Sequence, residues 1–259
     1  MRMTDRDWEE LKEAKDLLEG ESLAMRITRV AGAPIEKGFK LLPEKWSGYV
    51  QTATRKSLQR ALHVAFLTLK DRPERRSTER FYRLSVGISG GLGGAFGLAG
   101  LAVELPVSTV LVLRSILEVA RNQGEDLASV ETRLACLEVF ALGGRPQEDD
   151  AAETAYYAVR TAMAKAVTDA ARYITETGLA QEGAPALVRL ITAIAARFGV
   201  LVSEKTAAAA IPIVGAAGGA LLNEVFLDHF LDVARGHFTV RRLERAYGKE
   251  VVREAYEQA

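Results

Sequence analysis

The chain has 259 residues, with 34 basic and 34 acidic side chains and a formal net charge of zero, a balance that argues against a strongly basic nucleic-acid binder. Its 48% hydrophobic and 26% charged residues are those of a folded globular protein. The single Cys136 excludes an intramolecular disulfide and any multi-cysteine metal site, and the charged opening MRMTDRDWEELKEAKDLL is unlike a secretory signal, so a cytoplasmic location is expected.

Thr4 with Asp7 forms a capping-box pattern, and Trp8, Leu11, Ala14 and Leu18 follow at helical spacing until Gly20. A short helix is expected from Ser22 to Val30, ended by Gly32 and Pro34. A longer one starts near Pro43, with Trp46, Tyr49, Val50, Ala53, Ala61 and Ala65 as its apolar side. It stops before the connector DRPERRSTERFYR, where Arg72, Arg75, Arg76, Arg80 and Arg83 outnumber three acids. A basic cluster beside an apolar segment suits anionic lipid headgroups at a cytoplasmic membrane face, and a solvated loop explains it equally.

The run from Leu84 to Val103 has no charged residue. Gly87 and Gly91, Gly90 and Gly94, and Gly93 and Gly97 are overlapping GxxxG pairs, which place small residues on one helix face. Three structures accommodate such a run: a hairpin inserted in a bilayer, the small-residue core of a soluble bundle, or the wall of an acyl-chain cavity. A bend is expected at Glu104-Leu105-Pro106, with Pro106 opening the next helix and Glu104 complementing its positive end.

Further helices are expected from about Ser129 to Leu142, Asp150 to Thr177 and Ala186 to Val202, with QEDD as a loop. A second uncharged run, Thr206 to Leu222, holds the pair Gly215 and Gly219, and Pro212 should kink or start its helix. The tail reads as two short charged helices parted by Gly248. No segment alternates with the period of a strand. The expectation is therefore an all-α protein of about nine or ten helices, one domain over 1–259, with residues 1–40 at its periphery and the glycine-rich apolar helices packed at its centre.

Three blocks carry a family likeness: ELPVSTVLVLRSILEVARNQGEDL, RLACLEVFALGG and IPIVGAAGGALLNEVFLDHFLDVARGHFTVRRLERAYG. Together with the glycine run they resemble the EcsC family of bacterial proteins over roughly Leu41 to Tyr256. The resemblance implies an association with an ABC-type membrane transporter and carries over no catalytic residue.

Candidate chemistry is sparse. Glu104 lies between two apolar runs, and an unpaired charge buried there is costly, so it is expected to be exposed, paired or shifted in pKa. Contact with Arg114 is ruled out if both lie on one continuous helix. Asn223, Glu224, Asp228 and His229 form a polar cluster, read as an interhelical hydrogen-bond network because no metal-ligand spacing occurs. Gly87-Ile88-Ser89-Gly90-Gly91 matches a Gly-x-Ser-x-Gly nucleophile pattern, but no strand precedes it. The expectation is a non-catalytic protein without cofactor or metal, partnered by membrane lipid or a membrane transporter. The alternative is a soluble helical protein holding a hydrophobic ligand such as an acyl chain.

Overall fold

A computed structural model describes residues 3–67, 97–144, 155–179, 183–211 and 215–259. Every regular element among them is a helix. In chain order these are α1 (Asp5–Glu19), α2 (Leu23–Ala31), α3 (Ile35–Phe39), α4 (Trp46–Leu67) and α5 (Gly97–Asn122), then α6 (Val130–Leu142), α7 (Ala155–Thr177), α8 (Pro185–Ala209), α9 (Gly215–Tyr247) and α10 (Lys249–Gln258). All ten send side chains into one hydrophobic core.

Local signals set most boundaries. The Asp7 amide donates to Thr4 Oγ1 at 3.2 Å, closing the first turn of α1, and the Ser22 hydroxyl accepts from the Met25 amide at the start of α2. Gly124 follows α5 with φ +75°, a conformation that side chains with a Cβ resist. The turn it makes sends Glu125 back toward α9.

The middle of the molecule is α6. From Thr132 to Leu142 each of its residues is buried, so the helix is enclosed on every side. Helices α8 and α9 pack against it and against each other. Phe140 of α6 meets Phe198 of α8 and Phe230 of α9, with ring centroids 4.9 and 5.2 Å apart, and Phe226 stacks edge-on beside Phe230. Tilted and edge-on pairs of this kind add to simple area burial.

Residues 1–40, expected at the periphery, contribute Leu11, Leu23, Ile27 and Ile35 to the same core. Helix α1 lies along α9 so closely that a Cβ on Gly236 would stand 2.7 Å from Leu18 Cγ and 2.8 Å from the Ala14 carbonyl. This glycine lets the two backbones meet.

Three expectations are corrected. No bend divides Glu104 from Pro106: α5 runs unbroken through both, with Pro106 in its interior. Proline there removes the donor that would serve the Ala102 carbonyl, and Ala102 is exposed, so solvent reaches that group. The charged tail is not two short helices, because its first half completes the 33-residue α9 and only Gly248 breaks the chain. Pro212, expected to kink or start a helix in the second uncharged run, lies outside the described residues. Finally, Tyr49 points to solvent from α4 rather than into the core.

Candidate functional site

Most of the first glycine run lies outside the described residues, including Gly87, Ser89, Gly90, Gly91 and Gly94, as does the arginine connector. Gly97 opens α5 and Gly215 opens α9; Gly219 is buried one turn later.

Glu104 finds a partner on neither side of it in sequence. Lys205 of α8 reaches across and donates to Glu104 Oε1 at 2.9 Å, each side chain 8% exposed. The same ammonium stands 4.8 Å from the centre of the Phe226 ring on α9. One lysine thus ties three helices together in the apolar interior. Arg114, also on α5, is exposed.

The four polar residues expected to form a network at the start of α9 differ in burial. Asn223 is buried, Glu224 is exposed and Asp228 is half-buried. His229 Nε2 lies 2.8 Å from the Gly143 carbonyl at the end of α6. A carbonyl only accepts, so Nε2 carries the proton, and among the described residues Nδ1 is buried without a partner. Burial is the main reason that His229 is held down to about 4, and it stays neutral at physiological pH.

A larger polar seam runs along the second half of α9, and sequence reasoning missed it. Arg160 of α7 grips Glu244 with two bonds of 2.6 and 3.0 Å. Arg160 also donates to the Tyr156 oxygen at 3.3 Å, and the Tyr156 hydroxyl is hydrogen-bonded to His237 Nδ1, 2.9 Å away. Burial drives His237 well below its usual value. One turn further, Arg241 holds Glu125 at 2.9 and 3.0 Å; Arg245 bonds the same carboxylate and Thr132 donates to it at 3.0 Å. Burial opposes ionisation of Glu125, yet the Arg241 bonds keep it below the ordinary carboxylate range.

On the opposite side of α9, Arg26 pairs with Asp232, and Arg242 reaches Asp7 and Glu10 of α1. These pairs fasten α9 to its neighbours, and Asp7, Glu10, Arg26, Asp232 and Arg242 remain partly exposed.

Glu138 of α6 is buried beside this seam, and burial raises it to about 7 despite the opposing charges of Arg160 and Arg241. Between about pH 4.5 and 7 the folded chain therefore binds a proton there that the unfolded chain has lost, and stability falls as pH rises through that window. Glu138→Gln removes this dependence. Urea unfolding is expected to give matching stabilities for variant and wild type near pH 4.5, and a variant more stable by about 3 kcal/mol above pH 7. A constant difference across that range would contradict it.

Among the described residues, two hollows that open on the surface stand out. One, of about 780 Å³, lies between α1 and α9, where Asp7 and Glu10 already pair with Arg242. The other, of about 670 Å³, is a half-open groove between α4 and the first half of α8, with Pro106 of α5 in its wall. Its apolar lining includes Leu62, Leu187, Val188 and Ile191, and Arg55, Lys56 and Arg60 stand along one edge. Among the described residues, no three His, Cys, Asp or Glu side chains come together as metal ligands would. Cys136 is fully buried, and burial pushes its thiol far above the usual range.

No curated protein and no solved structure matches the chain. The model of the EcsC protein family matches residues 5–243, from the first turn of α1 almost to the end of α9, and this chain belongs to that family.

Proposed function

We propose that this EcsC-family protein is a non-catalytic, membrane- or lipid-associated protein of the cytoplasmic face, working as an accessory to an ABC-type membrane transporter. The observation that carries this reading is α8. Its 25 residues are long and apolar enough by length and composition to cross a membrane, and only 39% of its most apolar 18-residue window is buried. It carries no acid before Glu204 and leaves Val188 and Val200 about half exposed. Val103 and Val107 on α5, one turn apart, are likewise exposed. Exposed apolar surface of this kind marks an interaction site, and α8 then covers its outer side with lipid while its inner side keeps its place in the bundle.

Cell fractionation tests the reading. The protein is expected in the membrane pellet, released by high salt or by alkaline carbonate if it binds the surface and resistant to both if a segment inserts. Recovery wholly in the soluble fraction would overturn it. The groove between α4 and α8 supports a second reading in that event, a soluble carrier of a hydrophobic ligand, which native mass spectrometry would detect as a copurified lipid.

A further inference from the structure

The groove between α4 and α8 is unusual in its charge. In a chain with equal numbers of acids and bases, α4 carries no Asp or Glu over its 22 residues, and α8 carries none before Glu204. Along α4, positions 50, 53, 54, 57, 58, 61, 62 and 65 are buried, while 51, 52, 55, 56, 59 and 60 are exposed. The helix thus turns a clean apolar stripe inward and presents Arg55, Lys56 and Arg60 together on the outer side. Among the described residues no carboxylate forms an ion pair with any of the three. This separates them from Arg160, Arg241 and Lys205, whose charges are consumed inside the fold.

Resting on the membrane reading, we infer that this groove is the site at which the protein receives an anionic phospholipid of the bilayer. Arg55, Lys56 and Arg60 hold the headgroup phosphate, and Leu62, Leu187, Val188 and Ile191 accept the start of an acyl chain. Charge complementarity selects an anion, since among the described residues the lining contains no acid to repel it. The volume, about 670 Å³, falls within the range of small-molecule sites. A free ligand in solution needs most of its surface enclosed. This groove is half-open, its cations are exposed, and Val188 stands at its lining with 47% exposure. That shape suits a lipid still seated in a membrane, whose remaining chain length stays in the bilayer.

Vesicle flotation with the full chain tests the assignment, using vesicles of phosphatidylcholine alone and vesicles with a third of phosphatidylglycerol, at low salt. Wild type is expected to float only with the anionic vesicles. The triple variant Arg55→Gln/Lys56→Gln/Arg60→Gln is expected to lose on the order of 100-fold in vesicle affinity, about fivefold for each cation near an anionic surface. All three positions are exposed, so the fold is retained, which circular dichroism checks. Val188→Asp, which sets a carboxylate in the groove, should weaken binding at least tenfold. The matched control Arg6→Gln/Lys12→Gln/Arg253→Gln removes the same charge from the α1 and α10 side and should bind like wild type.

Anionic-vesicle binding that survives the α4 triple substitution would overturn the groove as the site and leave the membrane reading standing. An equal loss in the control variant would do the same, because the attraction would then be diffuse. Wild type that ignores both vesicles would sink the membrane reading itself. Uptake of monomeric oleate without vesicle binding would overturn the bilayer lipid as the occupant and favour the soluble carrier.

Discussion

Arg160→Ala is expected to be among the most destabilising single substitutions in this protein, at about 3–5 kcal/mol. The Glu244 side chain is 7% exposed and would lose two charge-assisted bonds at once. Its remaining contact, with the Tyr157 hydroxyl, is 3.5 Å long. The guanidinium also stands 5.3 and 5.5 Å from the ring centres of Tyr156 and Tyr157, so Tyr156 loses its cation while Tyr157 keeps Arg253. Against a typical total stability of about 5–15 kcal/mol, that loss decides whether the chain folds.

The loss should also grow with pH. Burial raises Glu138, and Arg160 is the strongest influence holding it down. Without that cation Glu138 rises further, so the window in which the folded chain retains the extra proton extends upward. Stability of the variant then keeps falling where that of wild type has levelled off. Urea unfolding at pH 5 and pH 8 reads both effects. A cost below about 1 kcal/mol, equal at the two pH values, would show that Glu244 reaches solvent easily.

The second large effect concerns Glu104 and Lys205. Lys205→Met is expected to cost about 3–5 kcal/mol, because it strands the Glu104 carboxylate between α5 and α8. The double substitution Glu104→Leu/Lys205→Met should return to within about 1 kcal/mol of wild type or exceed it, since two buried charges then give way to apolar packing beside Phe226. Additive losses would show that the two charges act independently. Strong coupling with the stability restored would identify the pair as a device that sets how α5 and α8 align, not as a net source of stability. Of the expectations for Glu104, pairing is the one the fold meets, because the carboxylate is buried and committed to a lysine.

The functional reading and these internal pairs divide the cations of the molecule in two. Arg160, Arg241, Arg242 and Lys205 each meet a carboxylate within the fold. Arg55, Lys56 and Arg60 meet none among the described residues and stand over apolar surface instead. In sequence both groups look alike, as basic residues one or two turns apart on helices. Only their surroundings tell a structural charge from one left open to a ligand.

Helical character, the first two caps, the α6 boundaries and the break at Gly248 were legible in the residues themselves, because each depends on contacts within one or two turns. Thr4 and Asp7 are three apart, as a capping pair must be. The family likeness was legible too, carried by residue order alone. What tertiary structure decided lies at long separation. Pro106 was read as a helix start, and the bundle instead holds it inside α5, where packing of Leu105, Val112 and Leu113 outweighs one lost hydrogen bond. Gly236 carries no local sign of its role, and it marks the crossing of α1 and α9.

The pairs Glu104–Lys205, Tyr156–His237 and Arg160–Glu244 are 101, 81 and 84 residues apart, and no spacing rule links them. A charged residue has the same local signature whether its partner is water or a carboxylate from another helix. Helix periodicity fixes which face a residue occupies. Which neighbour covers that face follows from how ten helices share one core, and that is settled only when the chain folds.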